Sequence, residues 1–142
     1  MSRGITTQQF AALMDRLAQA WSALDTDSAL ACFTSDAVYM EPPNIQFYQG
    51  HDQLRAYFGA LTAGTYLRYH NVWFDEASQH GCVEFSFGVS DKPTADHGII
   101  VIELRDGLIA LWREYVRQGP SDFQTFVASD GKDWQWHIGN YP

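Results

Sequence analysis

Hydrophobic and polar residues follow two different periods along this chain. Apolar residues recur every three or four positions over residues 8–24 and again over 53–61. That spacing puts them on one side of a helix, so both segments are predicted to be amphipathic helices. A short helix is also predicted over 28–33, where Asp27 supplies a capping side chain.

From residue 66 onward the period changes to two, which is the period of a strand. Asp106 and Gly107 form a dipeptide that favours a tight hairpin turn. We predict strands over 37–40, 66–76, 82–90, 98–104 and 108–117. Helices followed by an antiparallel meander indicate the α+β class, with helices packed on one face of the sheet. Residues 1–142 are therefore expected to form a single domain.

Charge narrows the range of partners. The 142 residues include nine Lys and Arg against seventeen Asp and Glu, which gives a net charge of −8. This balance argues against binding to nucleic acid or to an anionic membrane surface. The sequence shows neither a signal-peptide pattern nor an apolar run of about 18 residues, so a cytoplasmic protein is expected.

The sequence carries no motif typical of a metal or cofactor site. No HxH or HExxH pattern is present, and the eleven glycines are dispersed in predicted turns rather than grouped in a phosphate-binding loop. The two cysteines, Cys32 and Cys82, lie in apolar segments and are expected to be free thiols. We therefore predict neither a metal nor a cofactor.

Four segments in order resemble one known family. They are residues 21–39, the Tyr-Gln-Gly-His-Asp-Gln-Leu-Arg run at 48–55, Asp-Gly-Leu-Ile at 106–109 and Trp-Arg-Glu-Tyr at 112–115. The chain resembles the nuclear-transport-factor-2-like superfamily in its SnoaL-like branch, which includes polyketide cyclases, ketosteroid isomerases and limonene epoxide hydrolase. The resemblance extends over about residues 8–118, and residues 118–142 form an extension beyond it.

The resemblance implies a cone-like fold. It would consist of a strongly curved, mixed but mainly antiparallel sheet, with the N-terminal helices on its concave side and an apolar pocket between them. A homodimer formed through the outer face of the sheet is the assembly that the resemblance implies.

Glu114 is the first candidate for chemistry. Strand alternation puts it on one face with Trp112 and Val116, and puts Ile109 and Arg113 on the other. By resemblance to the epoxide hydrolase, the face of Glu114 is the one that points into the pocket. Burial there would raise the carboxyl pKa and suit it to general acid–base catalysis. The alternative is a carboxylate at the rim, paired with Arg113 or Arg68.

Tyr39 and Glu41 share one face of the first predicted strand. They match a Tyr and an Asn that hold the attacking water in the hydrolase, so a Tyr hydroxyl beside a carboxylate is predicted at the pocket. The alternative is that Tyr39 is a wall residue and that Glu41 only ends the strand. The hydrolase also needs an Arg and an Asp two residues apart, where this chain has Phe85 and Phe87. Epoxide hydrolysis by that route is therefore not expected.

Asp96 and His97 begin an apolar strand, and one of them is expected to face the pocket mouth. His97 is alternatively a satisfied surface group. By resemblance to the isomerases, Asp96 could also form an oxyanion-binding pair with Tyr57 or Tyr39.

The aromatic residues supply the predicted pocket wall. The candidates are Trp21, Phe33, Tyr57, Phe58, Trp73, Phe85, Phe87 and Trp112. Ordinary core packing is the alternative for them, because aromatic side chains dominate cores as well as cavities. Three further aromatics between Trp134 and Tyr141 could cap the pocket or pack against a partner.

These features leave three functions open. The first is a cofactor-independent isomerase, cyclase or hydratase acting on a small apolar carbonyl or cyclic compound, with Glu114 as acid or base. The second is a non-catalytic binder of a small apolar molecule. The third is a dimerisation module with a vestigial cavity. A fold of this kind supports all three functions. The side chains that line the cavity are therefore the evidence that distinguishes among them.

Overall fold

Six strands and four helices make up the part of the chain described by the computed structural model, residues 4–136 and Gly139. The helices are α1 (Thr7–Ser22), α2 (Thr26–Leu30), α3 (Gly50–Gly59) and α4 (Phe123–Val127). The strands are β1 (Phe33–Glu41), β2 (Gln46–Gln49), β3 (Thr65–Asp75), β4 (His80–Val89), β5 (Thr94–Arg105) and β6 (Leu108–Pro120). Of the tail aromatics, Tyr141 lies outside the described residues, as does His137.

The strands form one curved, open sheet in the order β2-β1-β6-β5-β4-β3. Only the pairing between β1 and β6 is parallel; the others are antiparallel. The predicted α+β class and the mainly antiparallel sheet are therefore confirmed. The parallel pair sets Tyr39 directly beside Trp112, which becomes important for the site.

Helix α1 closes one side of the curved sheet. Thr6 and Gln9 form a reciprocal capping box at its first turn, which satisfies amide groups that would otherwise be unpaired. Its apolar stripe is buried, as the spacing predicts, and packs against β3. Phe10 lies so close to β4 that a Cβ on Gly81 would come within 2.5 Å of the ring. Glycine is therefore needed there to let the helix approach the sheet.

Two short elements are absent from the sequence prediction. β2 has four residues and α4 has five, which is too short for a hydrophobic period to be visible. The second helix was also predicted too far along the chain. It is capped by Asp25 rather than Asp27, and it ends at Leu30, so that Phe33 opens β1.

Two register shifts change which side chains face inward. Between Glu103 and Leu104, the pairing with β6 skips Ala110. Ile109 therefore lies in the core, and its predicted place on the opposite face from Trp112 is wrong. A second shift lies in β3 between Tyr69 and Asn71. Because a one-residue shift reverses the face of each later residue, both bulges redirect several side chains.

Beyond β6 the chain folds back as α4 onto the outer face of the sheet. Phe123 and Phe126 stack on two histidines of that face, His70 and His97. In the described part of the chain, no helix is both long and apolar enough to span a lipid bilayer.

Candidate functional site

A small cavity of about 50 Å³ lies between the concave face of the sheet and the helices. That volume has room for a few water molecules or for a ligand with few heavy atoms. Its aromatic and aliphatic walls are Trp21, Tyr39, Tyr57, Phe85, Phe87 and Val116. Its polar lining consists of Glu41, Gln46, Asp96 and Glu114.

Neighbouring strands set the floor of the cavity. Tyr39 on β1 is paired with Trp112 on β6, and their rings stack with centroids 5.3 Å apart and planes 10° apart. Both side chains are fully buried. Glu114, two residues after Trp112 on the same face of β6, therefore receives polar groups from two adjacent strands.

Three donors converge on the Glu114 carboxyl group. Its Oε2 accepts a hydrogen bond from Trp112 Nε1 at 3.0 Å and another from the Tyr39 hydroxyl at 3.2 Å. Its Oε1 accepts a hydrogen bond of 2.6 Å from Gln46 Nε2. Each of these bonds stabilises the ionised form of the carboxyl group.

Burial raises the pKa of Glu114, and this effect is larger than the opposite effect of the three donors. Glu114 is only 6% exposed, and loss of hydration raises its pKa to about 7, with the nearby Glu41 charge adding to the rise. The hydrogen bonds from Trp112, Tyr39 and Gln46 act in the opposite direction. A carboxyl group with this pKa exists in both protonation states near neutral pH, as an acid–base catalyst requires.

Two more carboxyl groups line the cavity. Glu41 and Asp96 are half-buried, and burial raises the pKa of each. The charge of Asp96 raises the pKa of Glu41 further, whereas a hydrogen bond from Gln46 lowers it. No basic side chain lines the cavity within the described part of the chain, so it offers no counter-charge to an anion.

Sequence comparison agrees with this architecture. A family model described as a SnoaL-like domain matches residues 14–112, which is more than half of the chain. The protein belongs to the SnoaL-like domain family. A search of curated proteins found no match.

Solved structures share the fold of this SnoaL-like domain at low sequence identity. A protein of unknown function with a cystatin-like fold from Methylobium petroleophilum superposes with a TM-score of 0.72 at 16% identity, covering 98% of this chain and 99% of the other. SalBIII, an epoxide hydrolase/cyclase-like enzyme of pyran ring formation in the polyether salinomycin, gives 0.69 at 17%, covering 80% and 96%. An LEH-like epoxide hydrolase from M. tuberculosis gives 0.65 at 18%, covering 78% and 84%. At these identities the likeness establishes the fold alone.

The predicted wall residues of the SnoaL-like domain, apart from Trp73, fall into two groups. The first group lines the cavity and consists of Trp21, Tyr57, Phe85 and Phe87. Phe85 and Phe87 lie where the hydrolase has its charged Arg and Asp. Phe33, Phe58 and Trp112 are buried in the aromatic core behind the cavity. Their alternative assignment to core packing therefore describes them better.

Trp73 does not line the cavity, and its predicted place in the wall is wrong. The register shift in β3 puts Val72 and Phe74 against the core and turns Trp73 outward, where it is 53% exposed. Glu114 is not the rim carboxylate of the alternative prediction, since it is buried. Arg113 donates to the Tyr115 hydroxyl, and Arg68 lies over the ring of Tyr66, so neither arginine pairs with Glu114.

Of the two residues at the start of β5, only Asp96 lines the cavity. His97 was predicted as a catalytic candidate, and its placement at this site is wrong because alternation turns it to the opposite face of the sheet. There its Nδ1 is 2.6 Å from Ser86 Oγ and its Nε2 is 2.7 Å from the Pro120 carbonyl oxygen. The alternative prediction, a satisfied histidine, fits this geometry, although His97 is buried rather than at the surface.

Gln46 is the cavity residue that sequence reasoning missed. It begins β2, a strand that was not predicted, and its side chain reaches both Glu41 and Glu114. The sequence gives little local signal, since Gln46, Phe47, Tyr48 and Gln49 do not alternate between polar and apolar residues. Four residues are too few to distinguish a strand from a loop.

A larger groove of about 390 Å³ lies outside this site, between α1 and α2. It includes Arg16, Asp25 and Cys32. Burial raises the pKa of the Cys32 thiol, so the sulfur stays protonated and is a poor nucleophile. Among the described residues, no group of three His, Cys, Asp or Glu side chains is arranged to hold a metal ion.

Proposed function

We propose that this SnoaL-like domain is a cofactor-independent acid–base catalyst that acts on a small, uncharged carbonyl or cyclic compound. The observation that carries the proposal is the buried Glu114 carboxyl group, which faces a cavity and has a pKa of about 7. General acid–base catalysis works best with a group whose pKa lies near the working pH.

Proton transfer next to a carbonyl group is the reaction that suits these residues. Protonated Glu114 and the Tyr39 hydroxyl donate hydrogen bonds to the carbonyl oxygen of the substrate. Ionised Glu41 removes a proton from the adjacent carbon, the C–H electron pair forms the C=C bond of an enol, and Glu114 gives its proton to the oxygen. Protonated Glu41 then returns a proton to the carbon while Glu114 takes back the hydroxyl proton, which restores a ketone and both carboxyl groups without an oxidant or cofactor.

The charge of the cavity selects the substrate. Among the described residues, three carboxyl groups and no basic side chain line it, so an anion would meet like charge. A neutral molecule with one oxygen acceptor fits the aromatic walls and the donors at Glu114 and Tyr39. The volume of about 50 Å³ favours compounds with few heavy atoms, or requires side chains to move for larger ones.

Non-catalytic binding of such a molecule is the second candidate. It is favoured by the interlocked hydrogen bonds among Tyr39, Gln46 and Glu114, which occupy donors that a substrate would otherwise use. Binding without turnover would leave these bonds largely intact. An assay of hydrogen exchange at carbon therefore distinguishes a catalyst from a protein that only binds the molecule.

The test measures hydrogen–deuterium exchange at the α-carbons of acetone and cyclopentanone in D₂O by proton NMR. We expect the wild-type protein to accelerate exchange and Glu114→Gln to reduce the acceleration by about 100-fold or more, the usual size of a general acid–base contribution. Glu103→Gln is the matched control, since Glu103 lies on the outer side of β5 near His80. Absence of exchange with wild-type protein, or equal exchange with Glu114→Gln, would contradict the proposal.

A further inference from the structure

Gln46 occupies an unusual place in the cavity. It stands at the start of β2, the edge strand of the sheet, and is the register partner of Glu41 on β1. Its neighbours face solvent: Ile45 is 65% exposed and Phe47 is 55% exposed. Gln46 alone among these three lines the cavity.

One nitrogen of this side chain contacts two carboxyl groups. Gln46 Nε2 donates to Glu114 Oε1 at 2.6 Å and to Glu41 Oε2 at 3.1 Å. A primary amide carries two N–H bonds, so each carboxyl group can receive one. The amide thus links the buried carboxyl group to the half-buried one.

We propose that Gln46 is the positioning residue of this site, and that its amide couples Glu41 and Glu114 into a pair in which one carboxyl group holds the proton while the other stays ionised. This inference rests on the proposed function for its consequence in catalysis. The coupling itself is a property of the side-chain geometry.

The chemistry of the amide explains the coupling. Its N–H groups stabilise each carboxyl group in the ionised form, and the two negative charges on either side of the nitrogen repel each other. When Glu114 takes up a proton, that repulsion ends and the amide remains bonded to the ionised Glu41. The amide therefore lowers the pKa of Glu114, while repulsion between the two carboxylates lets the pair hold one proton, with Glu114 as the acid and Glu41 as the base.

Three variants test this role through the titration of Glu114. Gln46→Met keeps an unbranched side chain of similar length but removes both donors. Gln46→Lys places a positive charge between the two carboxyl groups. Gln49→Met makes the first change at an exposed position of the same strand, where the side chain does not line the cavity. The Glu114 carboxyl ¹³C signal, assigned by its loss in Glu114→Gln, is followed by NMR across pH 4–9.

We expect opposite shifts from the two changes at Gln46. The loss of one charge-assisted hydrogen bond in Gln46→Met should raise the Glu114 midpoint by about one to two pH units, and Gln46→Lys should lower it. Gln49→Met should leave the midpoint where it is. A general loosening of the site would move both Gln46 variants in the same direction.

Equal midpoints in wild type and Gln46→Met, or shifts of the same sign in Gln46→Met and Gln46→Lys, would overturn the inference. The titration needs no turnover, so it separates this inference from the proposed function. Shifted midpoints combined with a ketone exchange assay that shows no catalysis would overturn the proposed function and leave the coupling by Gln46 in place.

Discussion

The two faces of the sheet carry two polar clusters, which share strand β5. The inner cluster is centred on Glu114 and faces the cavity. The outer cluster consists of His70, Ser86 and His97, and α4 covers it. Asp96 and His97 are adjacent in β5, yet they belong to different clusters because side chains alternate along a strand.

Every partner in the outer cluster is matched. The Pro120 carbonyl oxygen can only accept, so His97 Nε2 carries a proton, and in the neutral ring Nδ1 then accepts from the Ser86 hydroxyl. Ser86 in turn accepts from His70 Nε2 at 2.6 Å. Burial lowers the pKa of His70, which favours its neutral form. Among the described residues, no fully buried side-chain nitrogen or oxygen of this cluster lacks a hydrogen-bond partner.

In the inner cluster, the carboxyl groups and the hydrogen-bond donors are not matched in number. Three carboxyl groups share a small number of donors, and burial raises the pKa of all three. Burial of polar groups alone therefore does not mark a reactive site. The inner cluster combines burial with competing charges and an adjacent cavity, whereas the outer cluster combines burial with complete pairing.

The largest expected difference between the clusters is in catalysis. Glu114→Gln should lower ketone exchange by about 100-fold or more, while Ser86→Ala should leave the rate within about twofold of wild type. Both are measured by the same proton NMR assay. A large loss of exchange in Ser86→Ala would mean that the outer cluster takes part in the chemistry.

The pH dependence of stability should also separate the clusters. Between pH 4.5 and about 7 the folded state keeps the Glu114 proton that the unfolded state releases. Stability should therefore fall as pH rises through this window, by up to about 3 kcal/mol, and should not change further from this group above it. Urea unfolding at pH 4.5, 6 and 7.5 measures the trend.

Glu114→Gln should remove that part of the pH dependence, and Ser86→Ala should retain it. An unchanged slope in Glu114→Gln would show that Glu114 titrates in the folded protein much as it does in the unfolded chain.

Removing a hydrogen-bonding group from the outer cluster should lower the free energy of unfolding. Ser86→Ala leaves one acceptor on His97 and one donor on His70 without their buried partner, which should destabilise the fold by about 1–3 kcal/mol. Ser35→Ala, at an exposed position of β1, is the control and should have little effect. Urea unfolding gives both values. A Ser86→Ala variant as stable as wild type would show that the chain of bonds is not needed for stability.

The smallest expected effect concerns α4. Phe126→Ala removes the ring stacked on His97 and should destabilise the docked helix by about 1 kcal/mol. Amide hydrogen exchange over residues 121–128 should become faster, while Val127→Ala, an exposed position in the same helix, should not alter it. Equal exchange in the two variants would indicate that the stacking does not hold α4 in place.

Alternation along the strands made much of the site predictable from the sequence. It correctly put Trp112, Glu114 and Val116 on one face of β6. It also correctly put Tyr39 and Glu41 together on one face of β1. What it could not give was the pairing register. The bulges in β3 and β6 each skip a residue, and this reversed the predicted faces of Trp73 and Ile109.

Short elements were the second source of error. Gln46 and Phe126 belong to segments of four and five residues, whose structure is set by contacts distant in sequence rather than by local period. The predicted homodimer through the outer face stays a prediction. It now has to accommodate α4, which covers His70 and His97 on that face.

The most direct test of the account is the pKa of Glu114 itself. The ¹³C chemical shift of its carboxyl carbon, followed across pH 4–9 in the wild-type protein, reports that pKa without any assumption about substrate. We expect a midpoint near 7. A midpoint near the ordinary glutamate value of about 4.5 would show that the inner cluster is simply an ionised, well-paired carboxylate, and the distinction between the two faces of the sheet would fail.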